Sequence, residues 1–363
     1  MAFGLTIRTV DGNVTELVAA DDGHFRAPGE VPVDTELDTG ALWALPGLAD
    51  CHAHLNGSSL EDQVTKGDPI ENATRNAWAQ LEGGVFLVAD KGTNDELSLR
   101  VMDQPPTRRP DLHMAGKVIT CPGGYYEDFC TEVDETDLIG AVSTVADGEA
   151  TWVKLIGDWP RKAVGPAPTF SQDGYAAAVQ VAHEAGVRVA IHTCAPETAT
   201  LAVEAGIDSI EHGLFLTATD VEKLGARGGA WVPTIVAMEA IRDDLGLDST
   251  GGKLFATGMN NVRDHLVGAV EAGVSVLAGT DLRLDHGAVA AEAIALHNYG
   301  LSPAQVVHAM TTAAYEYLGT EQGFETGQHA DVALFDRNPL EDLSALAEPV
   351  MLIRHGTILR GHP

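Results

Sequence analysis

Apolar and polar positions change rhythm twice along this chain. Residues 1–46 alternate over short runs, Leu5 to Val10 and then Val14 to Ala20, with the turn Asp11-Gly12-Asn13 between them; this predicts short strands. From Leu45 onward, continuous apolar runs alternate with amphipathic stretches. The runs at 48–55, 84–89, 112–119, 151–157, 187–193, 207–212, 230–235 and 274–280 predict eight strands. Stretches such as 171–185 carry a helical period between them, and Glu-Ala-Gly precedes three of the runs, at Glu184, Glu204 and Glu271, with the glycine as a helix stop. Eight strands alternating with helices over residues 47–320 predict a (β/α)8 TIM barrel, whose usual size is ~250 residues. A doubly wound open sheet competes, but no G-x-G-x-x-G follows the first strand. After Thr320 the pattern is short and β-like again, so 1–46 and 321–363 are expected to meet in a small separate sheet.

Composition narrows the partners. The chain has 363 residues, with 53 acids against 22 Lys and Arg, for a formal charge of −31. That surplus argues against nucleic acid and anionic lipid, since neutralising phosphate needs Lys and Arg. No apolar run reaches the roughly 18 residues of a membrane span, and the N-terminus does not read as a signal peptide. Four cysteines are too few for a disulfide framework, so the expectation is a reduced, soluble, cytoplasmic protein. Residues 118–153 carry eight acids and no Lys or Arg, read as a solvated face.

The chemistry gathers at predicted strand ends. In Asp50-Cys51-His52-Ala53-His54, strand alternation turns His52 and His54 to one face and Cys51 and Ala53 to the other. Two imidazoles on a first barrel strand would sit at the C-terminal mouth and supply half of a metal site. His192 and His212 close two further predicted strands, and Asp281 follows a third. Each alone reads as a packed or capped residue; four histidines and an aspartate at four strand ends point to metal. Lys154 lies mid-strand, where an ammonium is costly unless paired. With its pKa lowered by burial and neighbouring cations, it could react with CO2 to give a carbamate, an anionic ligand able to bridge two metals.

These segments carry a resemblance. LPGLADCHAH (45–54), VKLI (153–156), VAIHT (189–193), SIEHG (209–213), VPT (232–234), AGTD (278–281) and TGQHADVALFDRNPLEDL (326–343) together resemble the amidohydrolase superfamily, in its imidazolonepropionase-like and carbamylated-lysine prolidase-like branch. The resemblance implies a distorted (β/α)8 barrel with a small β-sandwich built from both chain ends. It implies a first metal on His52, His54 and Asp281, a second on His192 and His212, and a bridging hydroxide with carbamylated Lys154. Two divalent ions follow, zinc by default with Mn, Co or Fe as near equals. The implied reaction is hydrolysis of an amide or cyclic amide C–N bond in a small molecule such as an N-acyl amino acid or dipeptide. Asp281 would serve as general base and then acid, with Lys154 and His212 completing the catalytic set.

Two positions depart from the family's pattern. Many relatives carry Gly-Gly-His after the third strand, where this chain has Gly124-Tyr125-Tyr126; a tyrosine there could hydrogen-bond substrate. After His192 comes Thr193-Cys194, where relatives often have a second histidine. Thr234, Arg283 and His286 complete the substrate-binding candidates, with Arg283 either clamping a carboxylate or paired with Asp285 or another loop acid. Arg161 and Lys162 are weaker carboxylate candidates. His183, His265, His297 and His308 fall in helical stretches and read as structural or exposed. A mononuclear deaminase, an imidazolonase-type hydrolase and a lactonase remain open, as does a metal-free binding protein on the same fold. A homo-oligomer is possible.

Overall fold

The computed structural model describes residues 1–57, 67–126, 128–162 and 164–361. The first strands are β1 (Phe3–Arg8), β2 (Val14–Ala19), β3 (Phe25–Arg26), β4 (Thr35–Glu36) and β5 (Trp43–Leu45). Strands and helices then alternate: β6 (Leu48–Ala53), α1 (Pro69–Glu82), β7 (Val85–Asp90), β8 (Asp111–Met114), β9 (Val118–Thr120), β10 (Thr131–Glu132), α2 (Leu138–Ala146) and β11 (Trp152–Ile156). Next come the hairpin β12 (Asp158–Arg161) and β13 (Gly165–Pro168), then α3 (Gln172–Glu184), β14 (Arg188–Thr193), α4 (Thr198–Ala205), β15 (Ser209–His212) and α5 (Ala218–Ala226). After β16 (Ala230–Val232), α6 (Ile235–Leu245) and α7 (Thr250–Glu271) lead to β17 (Ser275–Val276). Helices α8 (Ala290–Asn298), α9 (Pro303–Ala309) and α10 (Thr312–Leu318) precede β18 (Val332–Phe335), β19 (Met351–Arg354) and β20 (Thr357–Arg360).

Two parallel sheets form the centre, one ordered β10-β9-β11-β14-β15-β16-β17 and the other β6-β7-β8. Backbone hydrogen bonds join them on both sides. Cys51 N donates to Ala278 O at 2.8 Å beyond β17, and Thr93, just after β7, exchanges bonds with Gly116 and Val118 beside β9. Two further four-stranded sheets, β3-β2-β1-β4 and β20-β19-β18-β5, come from the chain ends. Phe3, Leu5, Ile7 and Phe25 of the first share one apolar cluster with Val332, Leu334 and Ile353 of the second.

Local chemistry explains the helix ends. Ser171 Oγ accepts from Gly174 N at 3.0 Å to open α3, and Thr217 with Asp220 closes a capping box on α5. The glycines of the three Glu-Ala-Gly stops, Gly186, Gly206 and Gly273, take φ of +76°, +91° and +85°, the left-handed turn that ends a helix.

The pattern of the sequence misplaces three features. The expected strand 112–119 is two pieces, β8 and β9, separated by Gly116 at φ +65°. The expected strand 274–280 has only Ser275 and Val276 as ladder residues. Cys51 does not turn to the side opposite the site. It packs with Ala49, Trp152 and Ala190, and Trp152 and Ala190 lie two residues before Lys154 and His192 on the same strand faces. The register between β6 and β7 shifts between Asp50 and Ala53, which breaks the simple alternation there. Of the acidic stretch, Glu127 lies outside the described residues; Glu135 accepts from Ser171 N and Oγ at the start of α3. No helix among the described residues is long and apolar enough to cross a membrane.

Candidate active site

Asp281 is where the separate strands meet. Its Oδ1 lies 3.3 Å from His52 Nε2 and 3.5 Å from His54 Nε2, and its Oδ2 lies 3.8 Å from His212 Nδ1. The backbone helps: Asp281 N donates to His52 O at 2.9 Å. Asp50 fastens the same junction, accepting from Thr280 Oγ1 at 2.7 Å, Thr280 N at 3.1 Å and Gln80 Nε2 at 3.0 Å. Gly279 makes the approach possible, since a Cβ there would lie 2.6 Å from His52 Cβ.

Two histidines have Nδ1 hydrogen-bonded to an oxygen, and a third has a carboxylate oxygen beside it. His54 Nδ1 donates to Gly92 O at 2.5 Å, which leaves Nε2 as its free lone pair. His212 Nδ1 lies 2.7 Å from Thr234 Oγ1; that hydroxyl already donates to Pro233 O, so the imidazole donates to it. Glu211 Oε2 stands 2.6 Å from His52 Nδ1. Oxygens on Nδ1 fix the ring and raise the basicity of Nε2, the usual support for a metal-binding histidine.

Four non-glycine residues here take left-handed backbone: His212 (φ +63°), Thr234 (+45°), Asp281 (+49°) and Leu282 (+56°). Such positions cost of order 1–3 kcal/mol each and concentrate at functional sites. At His212 the consequence is direct. Glu211 and His212 are neighbours that a straight strand would point apart, yet Glu211 reaches His52 and His212 faces Asp281.

Burial sets the charges. It drives the His52 imidazole down to about 3 with help from the Lys154 ammonium, and His212 down to about 4; His192 falls well below its usual value for the same reason. All three are neutral near pH 7, the form that ligates. Burial alone would raise Glu211, but Lys91, His52 and Lys154 outweigh it and hold the carboxyl well below its usual range. Asp281 is likewise held well below, with His52, His54 and His212 overcoming burial. Lys154 is 2% exposed and has no carboxylate within ion-pair distance among the described residues. Burial lowers its ammonium to about 8, Glu211 opposing and Lys91 adding to the effect.

Donor atoms of His52, His212 and Asp281 lie within 4.8 Å of one another, as do those of His192, Cys194 and His212. The two groups share His212, and a nitrogen-rich donor set with carboxylate oxygen suits a borderline divalent ion. Cys194 belongs to the second group, but burial holds its thiol well above the usual value, and its Sγ lies 3.9 Å from Met238 Sδ.

Beside the cluster is a cavity of about 450 Å³, bounded by His192, Asp281, Tyr125, Trp159, Met238 and Phe255 among others. Its walls are mostly apolar. Trp159 from β12 lies 4.5 Å from the Tyr125 ring and 4.7 Å from Tyr126. Of the expected substrate-binding residues, Tyr125 and Tyr126 line this cavity, and the others are engaged elsewhere. Thr234 holds His212; His286 Nε2 lies 2.9 Å from Gly57 O; Arg283 pairs with Asp244 at 2.8 Å rather than with Asp285. Arg161 donates to Pro168 O at 2.6 Å inside the β12–β13 hairpin, whose turn carries exposed Lys162. His265 and His297 make local contacts to Asn261 O and Leu301 O, and His183 reaches from α3 to Asp208 just before β15.

Sequence reasoning missed Glu211, Lys91 and Trp159. Lys91 Nζ sits 3.2 Å from Glu211 Oε1 and 4.1 Å from the Trp152 ring centroid. An acid and a base at the ends of two apolar runs were the available signal.

Histidines and a carboxylate gathered at the C-terminal ends of parallel strands, beside a cavity, are the arrangement of an α/β enzyme. Residues 43–359 match the model of the amidohydrolase family, and the chain belongs to that family. It is 32% identical to an uncharacterized protein of Mycobacterium tuberculosis over 92% of this chain and 90% of the relative. It is 22% identical to ochratoxinase of Aspergillus niger over 84% of this chain and 72% of that enzyme. The fold is similar to a Xaa-Pro dipeptidase solved with bound methionine, at TM-score 0.83, 23% identity, and 99% and 100% coverage of the two chains. Family and fold together support an enzyme that hydrolyses amide-type bonds.

Proposed function

We propose that this chain is a metal-dependent hydrolase that cleaves an amide C–N bond carrying a bulky apolar group, using two divalent ions, zinc by default. The observation that carries the reading is Asp281 with His52 and His54 presenting Nε2 to it, the Glu211 carboxylate standing beside Nδ1 of His52 and Gly92 O accepting from Nδ1 of His54. In this reading the two parallel sheets are arcs of one distorted (β/α)8 barrel over 47–320, and residues 1–46 and 321–363 form the small β-sandwich. His52, His54 and Asp281 would hold one ion and His192 with His212 the other. Lys154 would supply a further anionic oxygen ligand as a carbamate: its neutral amine would add to CO2, forming an N–C bond as one C–O π bond opens to the carboxylate oxygen and one N–H proton is released. Bound metal supplies Lewis acidity, which acidifies water and polarises the scissile carbonyl.

The chain's own groups do the rest. The Asp281 carboxylate takes the proton of the attacking water and returns it to the leaving nitrogen. His212, fixed by Thr234, keeps its place beside that carboxylate. Tyr125, whose phenol burial keeps protonated, donates toward substrate oxygen. Tyr126, Trp159 and Phe255 exclude water and favour an aromatic or branched group. Arg161 and Arg283 are engaged already, so the reading favours apolar contact over a carboxylate clamp. A Xaa-Pro dipeptidase is a peptide-bond enzyme by name, which agrees with this class.

A hydrolysis screen of metal-replete protein against N-acyl aromatic amino acids, dipeptides, aryl amides and lactones tests it. Turnover of amides with aromatic groups is expected. Hydrolysis of lactones alone, or of nothing, overturns the reading.

A further inference from the structure

A second histidine cluster lies in the sheets made by the chain ends, outside the cavity described above. His24 precedes β3, His329 precedes β18, and His355 occupies the turn between β19 and β20. The three are far apart in sequence. A backbone bridge pairs His24 with His329, and Ala330 N donates to Gly23 O at 2.8 Å. The His329 ring stands 5.1 Å from His24 and 4.4 Å from His355, centroid to centroid. Asp331 completes the group, with Oδ1 accepting from His355 N at 2.6 Å and Oδ2 paired with Arg354.

Two observations separate this from incidental packing. His355 takes φ +45°, an uncommon conformation for a non-glycine residue, and it lies against Gly23, where an added Cβ would be 3.3 Å from His355 Cβ. Its Nε2 is buried and has no hydrogen-bond partner. A buried ring nitrogen without a partner is costly unless something binds it. Donor atoms of His329, Asp331 and His355 lie within 4.8 Å of one another.

We propose that His329, His355 and Asp331, with His24 at the open edge, form a separate binding site for one borderline divalent cation such as Zn2+ or Ni2+. Imidazole nitrogens with one carboxylate oxygen are the donor set those ions favour. The ion would tie the segment leading into β18 to the turn between β19 and β20. Because such a tie binds the folded chain and not the unfolded one, it stabilises the fold by mass action. The site is independent of the amide-hydrolase reading, which uses none of these residues.

The test compares the full-length protein with His329→Gln and His355→Asn, the asparagine chosen because it tolerates the left-handed backbone at that turn. Each is dialysed against micromolar zinc, and bound zinc is counted by elemental analysis alongside melting temperature with and without zinc. The wild type is expected to carry one zinc per chain more than either variant. Part of its zinc-dependent rise in melting temperature should vanish in both. Equal zinc content in all three proteins, with the same rise, overturns the proposal. Ions in the active site are common to all three, so failure of the hydrolase reading leaves this difference unaffected.

Discussion

Glu211 Oε2 lies 2.6 Å from His52 Nδ1 while its Oε1 lies 3.2 Å from Lys91 Nζ, so one buried carboxylate stands between a candidate metal ligand and a buried lysine. Replacing Glu211 by Gln keeps the shape and removes the charge. Losing such an orienting partner typically lowers metal affinity about 10–100-fold, and stranding a buried charge costs about 3–5 kcal/mol. Chelator competition and thermal melting of Glu211→Gln should show both losses. Unchanged affinity would mean that Glu211 does not serve the histidine.

Lys154 gives a pH dependence with a definite sign. Its ammonium is lowered to about 8, so the neutral amine grows as pH rises through that value. Only the neutral amine adds to CO2. At fixed dissolved CO2, reactivation of chelator-treated enzyme by metal should be about twentyfold faster at about pH 8.5 than at about pH 6.5. A flat profile, or one that falls with pH, would count against the carbamate. Lys154→Ala should lose bound metal.

Asp281→Asn keeps size and the backbone bond to His52 O but removes the proton acceptor. Turnover should fall by about 10²–10⁴-fold, the usual reach of general acid–base catalysis. Retained turnover would assign the proton to another group.

Trp159→Ala removes the ring that packs on Tyr125 and Tyr126 at the cavity wall. KM for an aromatic amide should rise more than KM for a small aliphatic amide, because only the former uses that wall. Equal effects on both would place the substrate elsewhere.

Much of the frame was legible because parallel strands buried on both faces leave continuous apolar runs, and helices between them leave Gly stops at Gly186, Gly206 and Gly273. The residues His52, His54, His192, His212 and Asp281 were legible because each ends such a run. Glu211 was hidden by alternation: next to His212, it should face away, and only the left-handed backbone at His212 turns both inward. The same limit misled the reading of Cys51, where the register of β6 shifts. Arg283 shows a different limit, since its partner Asp244 comes from α6, and no local pattern names a tertiary ion pair. The hairpin of β12 and β13, which brings Trp159 to the cavity, carries Pro160, Pro166 and Pro168, which obscure a strand pattern.

The proposed amide hydrolysis depends on two metal ions held by the strand-end cluster. Its most direct test is a titration of chelator-treated enzyme with zinc, in the presence of bicarbonate, reading turnover of an aromatic N-acyl substrate at each increment. The prediction is negligible turnover without metal and a rise that breaks at two ions per chain in the His329→Gln background, which removes the proposed terminal site. Full turnover without metal, or a break at one ion, would contradict it.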